Sequence, residues 1–351
     1  MISVRFRLAA AAASSSIWPA SVETTVSDLV LNRRRAGELF ARVDETTAAA
    51  TLSAAWDAGI RYYDTAPFYG QGLSEIRTGR FLDNQPRSDF ILSTKVGRWL
   101  FSPANREAFK SMWAGGLRFD HVHDYSYDGI MRAYDQSQMR LGMNRIDLLV
   151  IHDLDFSFHQ TEAKVSAYLA QLFTSGWRAL DELRGHGLVK AVGAGINELG
   201  MIPRFLDMFD LDFVLLALRY TLLEQETHET ELPYCERRNV GVVIGGVYNS
   251  GITATGAIKG AKYNYQDAPP AIMEKVRKID AACQAHKVPL AAAALQFPLG
   301  HPSVATVIPG AINSDQVRLN VETFRHPIPQ ALWSDLKREG LLAEQAPVPA
   351  G

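Results

Sequence analysis

Three short segments of this sequence end in side chains that can hold or move a proton. Asp64-Thr65-Ala66-Pro67-Phe68-Tyr69-Gly70 carries a carboxylate and a phenol, Ser93-Thr94-Lys95-Val96-Gly97-Arg98 an ammonium, and Ile151-His152-Asp153 an imidazole. A phenol titrates near ~10, too high for a base at neutral pH. An ammonium such as Lys95 beside it favours the phenolate and draws that value down. Asp64 can hold the ammonium by a charge-assisted bond. His152 can donate to or accept from a substrate oxygen and orient it. Taken singly, Tyr69 reads as a turn aromatic, Asp64 as a turn cap, and Lys95 and His152 as polar groups on a rim. Their joint occurrence at strand ends carries the catalytic reading.

Such side chains need elements to place them. Arg61-Tyr62-Tyr63-Asp64, Phe90-Ile91-Leu92-Ser93-Thr94-Lys95 and residues 146–151 read as short strands that run into those segments. Helices are expected at 47–58, 73–82, 172–186, 198–209, 226–238, 271–286 and 313–322, and Ser126 caps another ending near Leu141. Further strands are expected at 189–194, 212–217, 240–245 and 304–308. Uniformly apolar strands imply a parallel sheet covered by helices. Repeated strand–helix units allow a closed barrel or an open doubly wound sheet. No Gly-x-Gly-x-x-Gly follows an early strand, so the usual dinucleotide fingerprint is missing. Asp64, Lys95, His152 and Asn197 all fall at strand C-termini, the face on which a barrel builds its site. The expected fold is an α/β (β/α)8 TIM barrel, a single domain over residues 26–345 behind an N-terminal extension of residues 1–25. Residues 97–125, rich in Trp, Phe, Gly and His, read as a long functional loop. Trp99 and Trp113 wall the pocket or merely pack the long loop. Asp153 is a candidate for binding a hydroxyl-bearing substrate, or caps a loop.

The rest of the composition narrows the class. The chain has 351 residues, 47% apolar and 21% charged, with a formal net charge of -2. That fills a sizeable core and gives no overall field favouring nucleic acid or an anionic membrane. No stretch of about eighteen apolar residues is present, so no membrane span is expected. Cys235 and Cys283 form no metal-ligand spacing and read as buried apolar fillers in a reduced compartment. No metal is expected. Residues 1–22 carry Arg5, Arg7, an alanine run and serines without an acidic residue, which resembles a weak secretory or transit segment. The plainer reading is an Ala/Ser tail on a cytoplasmic protein.

The segments at 64–70 and 93–97 closely resemble the active-site motifs of the aldo-keto reductases. Gly187-Leu188-Val189-Lys190-Ala191-Val192-Gly193 is similar to the segment before that family's fifth strand, and Ala305-Thr306-Val307-Ile308-Pro309-Gly310 to its last strand and cofactor loop. The resemblance spans roughly residues 45–340. It implies an NAD(P)-dependent oxidoreductase, in which hydride passes between a carbinol carbon and nicotinamide while one proton moves at the oxygen. Tyr69 is then the acid/base, Lys95 and Asp64 tune it, and His152 positions the substrate. By the same resemblance Asn197 grips the nicotinamide amide, and Tyr248, Asn249, Ser250 and Gly251 form a pyrophosphate-side loop. Pro309, Gly310, Ala311, Ser314, Gln316 and Asn320 correspond to the adenosine end. NADP-specific members usually carry a Lys just after that Pro and an Arg further on; Gly310 and Gln316 stand here. Each lost charge-assisted bond to phosphate is worth about 1.5–3 kcal/mol. NAD is therefore the expected cofactor, with NADP tolerated.

One segment departs from the family. Arg33, Arg34 and Arg35 stand where its first strand usually ends in a Gly-rich segment contacting cofactor. A divergent first strand, a sequence artefact or a crippled enzyme would each explain this. Segments 124–130, 147–153 and 245–251 resemble the group containing D-threo-aldose 1-dehydrogenase (L-fucose dehydrogenase) and pyridoxal 4-dehydrogenase. That group implies oxidation of the hemiacetal C1 of an aldose to a lactone, or of the equivalent carbon of pyridoxal. The expected partner is a small sugar- or pyridoxal-like molecule, with no nucleic acid and no membrane. A general aldehyde reductase is the alternative enzyme. A non-catalytic nucleotide-binding barrel acting as a regulatory partner is the alternative of another class.

Overall fold

The computed structural model describes residues 30–32, 42–105 and 107–350. Eight parallel strands follow one another in chain order: Val30–Asn32, Tyr62–Asp64, Ile91–Val96, Leu148–His152, Ala191–Ile196, Phe213–Ala217, Gly241–Gly245 and Val304–Ile308. Each pairs with its predecessor. The sheet curls until the first strand lies against the eighth. Helices cover its outside, which makes the molecule a (β/α)8 barrel. Arg33, Arg34 and Arg35, and the extension read at residues 1–25, lie outside the described residues.

Strand alternation decides what faces inward. Leu148 and Val150 join Tyr62, Ala191, Phe213, Leu215, Val243 and Ile308 in a small core inside the barrel. Their neighbours Leu149, Ile151, Val214, Leu216, Val242 and Ile244 belong to the larger core between sheet and helices. Stepping by two from Tyr62, Ile91 and Leu148 reaches Asp64, Lys95 and His152. The same periodicity that fills the barrel therefore brings these three polar side chains to its inner side at the C-terminal ends.

Residues 97–125 are not the irregular loop expected from composition. Arg98–Phe101 pairs antiparallel with Asp120–His123. Gly97 turns the chain into this hairpin at φ +99°, and a Cβ there would lie 2.2 Å from Cε1 of Tyr125. Only glycine suits both demands. The helix expected at 172–186 starts earlier, at Glu162 with Thr161 as its cap, and reaches Gly185 through a π-turn at Leu172–Gly176. Only Val165 and Leu169 of its first part are buried, too thin a stripe to read. The helix expected at 226–238 is split into Thr227–Thr230 and Leu232–Arg238, with Pro233 in the first turn of the second piece. Leu290–Gln296, almost wholly buried, and Gln330–Arg338 are further helices. Among the described residues no helix is long and apolar enough to cross a membrane, and no group of three His, Cys, Asp or Glu could hold a metal ion.

Candidate active site

Asp64 and Lys95 meet across the second and third strands. Lys95 Nζ lies 2.7 Å from Asp64 Oδ2 and donates a second bond, of 2.8 Å, to the Thr65 carbonyl. The Ser93 hydroxyl donates to Asp64 Oδ1 at 2.6 Å, fixing the carboxylate from its other side. Burial pushes the Lys95 ammonium down, but Asp64 and Tyr69 outweigh it and the net direction is up. Lys95 thus stays charged, with Nζ 4.7 Å from the centroid of the Tyr69 ring. Tyr69 is delivered by the turn Tyr69–Gly72, where Gly70 and Gln71 take left-handed backbone angles. Its ring meets the His152 imidazole edge to face, with centroids 5.6 Å apart. The Tyr125 hydroxyl donates to the His152 carbonyl at 2.9 Å and anchors that strand end. All four expected catalytic side chains come together.

Asp153 sits beside them but its carboxylate is already engaged. Oδ2 accepts from Arg98 Nη2 at 2.8 Å, and Oδ1 accepts from Asn197 Nδ2 at 2.9 Å. It lines the cleft while engaged in this internal ion pair. Trp99 takes the second of its two expected places, packing within the 97–125 segment. Its ring packs against Phe101 and under the Arg132 guanidinium, and it does not line the cleft. Neighbours on a strand face opposite ways, and Arg98 takes the side facing the site. Trp113 is buried edge-on against Phe68 and Tyr69, so it braces the Tyr69 turn.

A cleft of about 850 Å³, including its open mouth, begins at Tyr69, Lys95 and His152 and runs to Pro309 and Gly310. Asn197, Tyr248, Ser250 and Gly251 line it. Asn249 does not; its side chain is fully buried beneath. Ala311 is likewise buried, and Ser314 lies outside the lining. Gln316 turns back to accept from the Ile312 amide at 3.0 Å. Asn320 works at one remove, accepting from the Tyr248 hydroxyl at 3.1 Å and donating to the Gly310 carbonyl at 3.4 Å. Leu215, Leu218, Gly246 and Tyr265 line the cleft without having been singled out. Gly246 carried a legible signal, lying just past a strand; Tyr265 carried none.

The cleft suits a nicotinamide dinucleotide. Its wall includes Gly195, Gly245, Gly246, Gly251 and Gly310, so bare backbone can approach an extended ligand. A Cβ at Gly246 would lie 2.6 Å from Leu218 Cδ2, and that position has φ +64°. The apolar Leu215, Ala217 and Ile308 can flank a flat ring beside Tyr69 and His152.

A parallel barrel with a buried Asp–Lys pair, a phenol and an imidazole at the head of such a cleft has the build of a nicotinamide-dependent oxidoreductase. The sequence pattern of the Aldo/keto reductase family matches residues 34–338, and the chain belongs to that family. It is 41% identical over 328 residues to a protein named pyridoxal 4-dehydrogenase from Microbacterium luteolum, covering 91% of this chain and 95% of that one. It is 39% identical over 317 residues to a D-threo-aldose 1-dehydrogenase from a Pseudomonas species, covering 87% and 92%. Among solved structures, a holo-form aldo-keto reductase from Bacillus halodurans superposes with a TM-score of 0.67 at 23% identity, over 92% of this chain and 93% of that one. That likeness speaks for the fold. The enzyme is an oxidoreductase that uses NAD(P).

Proposed function

We propose that this enzyme oxidises the hemiacetal carbon of a small cyclic substrate, an aldose of the L-fucose type, to a lactone with NAD+. The observation that carries the reading is the sealed Lys95–Asp64 pair under the Tyr69 ring, facing His152 at the head of the cleft. Tyr69 takes the proton of the C1 hydroxyl, and Lys95 stabilises the phenolate that accepts it. Asp64 and Ser93 keep Lys95 from wandering. His152 orients the substrate oxygen. NAD+, when bound, supplies the hydride acceptor. The identities to a D-threo-aldose 1-dehydrogenase and a pyridoxal 4-dehydrogenase support this class of substrate. Pyridoxal is the second reading, favoured by the somewhat higher identity to its dehydrogenase. Asn197, Tyr248, Ser250, Gly251, Pro309 and Gly310 are the residues that would hold the dinucleotide.

The test is NADH formation with L-fucose, D-arabinose, L-galactose and pyridoxal, with the product trapped by hydroxylamine. Brisk oxidation of an aldose supports the main reading, and of pyridoxal alone the second. No oxidation of any, beside rapid NAD(P)H-linked reduction of simple aldehydes, would overturn both.

A further inference from the structure

Arg98 opens the hairpin directly after Gly97, and its side chain is wholly buried. Nη2 makes a charged contact to Asp153 Oδ2 at 2.8 Å. Among the described residues its Nε and Nη1 have no hydrogen-bond partner. The guanidinium is instead held between rings, 4.4 Å from the centroid of Phe68 and 4.8 Å from that of Phe158. A buried ion pair with part of its donors unsatisfied is a poor source of stability, since desolvation offsets the attraction. An apolar residue of similar size would serve packing as well. Its presence calls for another explanation.

That explanation lies with Asp153. Its backbone is left-handed, φ +50°, which breaks strand alternation and lets it line the cleft together with His152. Asp153 Oδ2 stands 3.2 Å from His152 Nε2 while it accepts from Arg98. Oδ1 accepts from Asn197 Nδ2, and Asn197 is also tied to Asp155 through its amide and side chain, both at 2.9 Å. One carboxylate thus touches the imidazole at one end of the reacting centre and the amide at the other. A naked carboxylate there would be an uncompensated buried charge beside the imidazole. A carboxylate free to rotate would leave the Asn197 side chain to Asp155 alone.

We propose that Arg98 is a positioning residue whose buried guanidinium pins Asp153, so that His152 and Asn197 are held in register with each other. The inference rests on the proposed roles of His152 at the substrate and Asn197 at the nicotinamide. Arg98 also presses on Phe68, the neighbour of Tyr69, so the same cation braces the turn that carries the phenol.

The experiment compares Arg98→Met, Arg98→Lys and the double variant R98M/D153N. It reads thermal stability, the Kd for NAD+ by fluorescence quenching, and kcat and KM with whichever substrate the wild type turns over. For Arg98→Met a fall in kcat of about 10–100-fold is expected, as for a small misplacement of a reacting group. The Kd for NAD+ should weaken in the same variant, because Asn197 is loosened, while KM for substrate changes little. Arg98→Lys keeps the charge and should recover the Kd and much of kcat. The double variant removes both buried charges, so it should recover thermal stability but neither Kd nor kcat. If the double variant recovers all three, Arg98 is structural only and the proposal is overturned. Should Arg98→Met fail to fold, the double variant and Arg98→Lys decide alone. The Kd needs no substrate, so it tests the inference even if the hemiacetal reading fails.

Discussion

Lys95 and Asp64 sit 2.7 Å apart with almost no solvent contact, on adjacent strands whose register pairs Asp64 with Ser93. Alternation sets Lys95 two residues beyond Ser93, on the same inner face. The ion pair is thus a consequence of strand register, and its cost of burial is met by the Ser93 and Thr65 hydrogen bonds. Breaking one partner of such a pair is far more damaging than replacing both.

Asp64→Asn should therefore leave an uncompensated buried ammonium and cost about 3–5 kcal/mol of stability, together with turnover. Denaturant unfolding monitored by circular dichroism checks the first part. A loss below about 1 kcal/mol would mean that the pair is better solvated than its burial implies.

Asp155 gives a pH signature. Burial, and then the Asp153 charge, push its carboxyl up to about 6. The unfolded value is near ~3.9, so the folded state holds this proton more tightly. The contribution is fully present below the unfolded value and is lost as pH rises through about 6. At about 1.4 kcal/mol per unit, the swing is on the order of 3 kcal/mol. The melting temperature of wild type relative to Asp155→Asn should fall between about pH 4 and 6, the window set by the unfolded and folded values. A difference that stays flat across this range contradicts the assignment.

Gly97→Ala should destabilise the hairpin by about 2 kcal/mol or more, because it adds both left-handed strain and a clash with the Tyr125 ring. Activity should fall with it, since Tyr125 anchors the His152 carbonyl. Chemical denaturation and kcat measured on the same preparation test this; an unchanged midpoint would show that the turn relaxes freely.

Cofactor choice follows from the far end of the cleft. Gly310 offers no cation and Gln316 is spent on the Ile312 amide, so kcat/KM should favour NAD+ over NADP+. Gly310→Lys should raise kcat/KM for NADP+ by roughly tenfold or more, the worth of one charge-assisted bond to phosphate. Clear preference of the wild type for NADP+ would refute this.

What the sequence revealed follows from which signals are periodic. Val304–Ile308 has the expected bounds because an apolar run marks it, and Leu73–Leu82 because the left-handed Gly72 opens it. Asp64, Lys95 and His152 were legible because each terminates such a run. Arg98 was not, since a buried arginine and an exposed one look alike until the partner, 55 residues away in sequence, is placed. The two readings of Trp99 stayed open for a related reason: one residue along a strand reverses the facing, and composition does not record parity. Asn249 failed because the turn that carries it directs Tyr248 and Ser250 to the cleft and Asn249 beneath it.

The most direct test of the central claim is Tyr69→Phe. The phenol is the proposed proton carrier, and Lys95, Asp64 and His152 are arranged about it. Removal of general acid–base catalysis costs about 10²–10⁴-fold, so turnover of the best hemiacetal substrate should drop by that much while the Kd for NAD+ stays close to wild type. A variant that binds NAD+ normally and still keeps more than about a tenth of the wild-type rate would contradict the account.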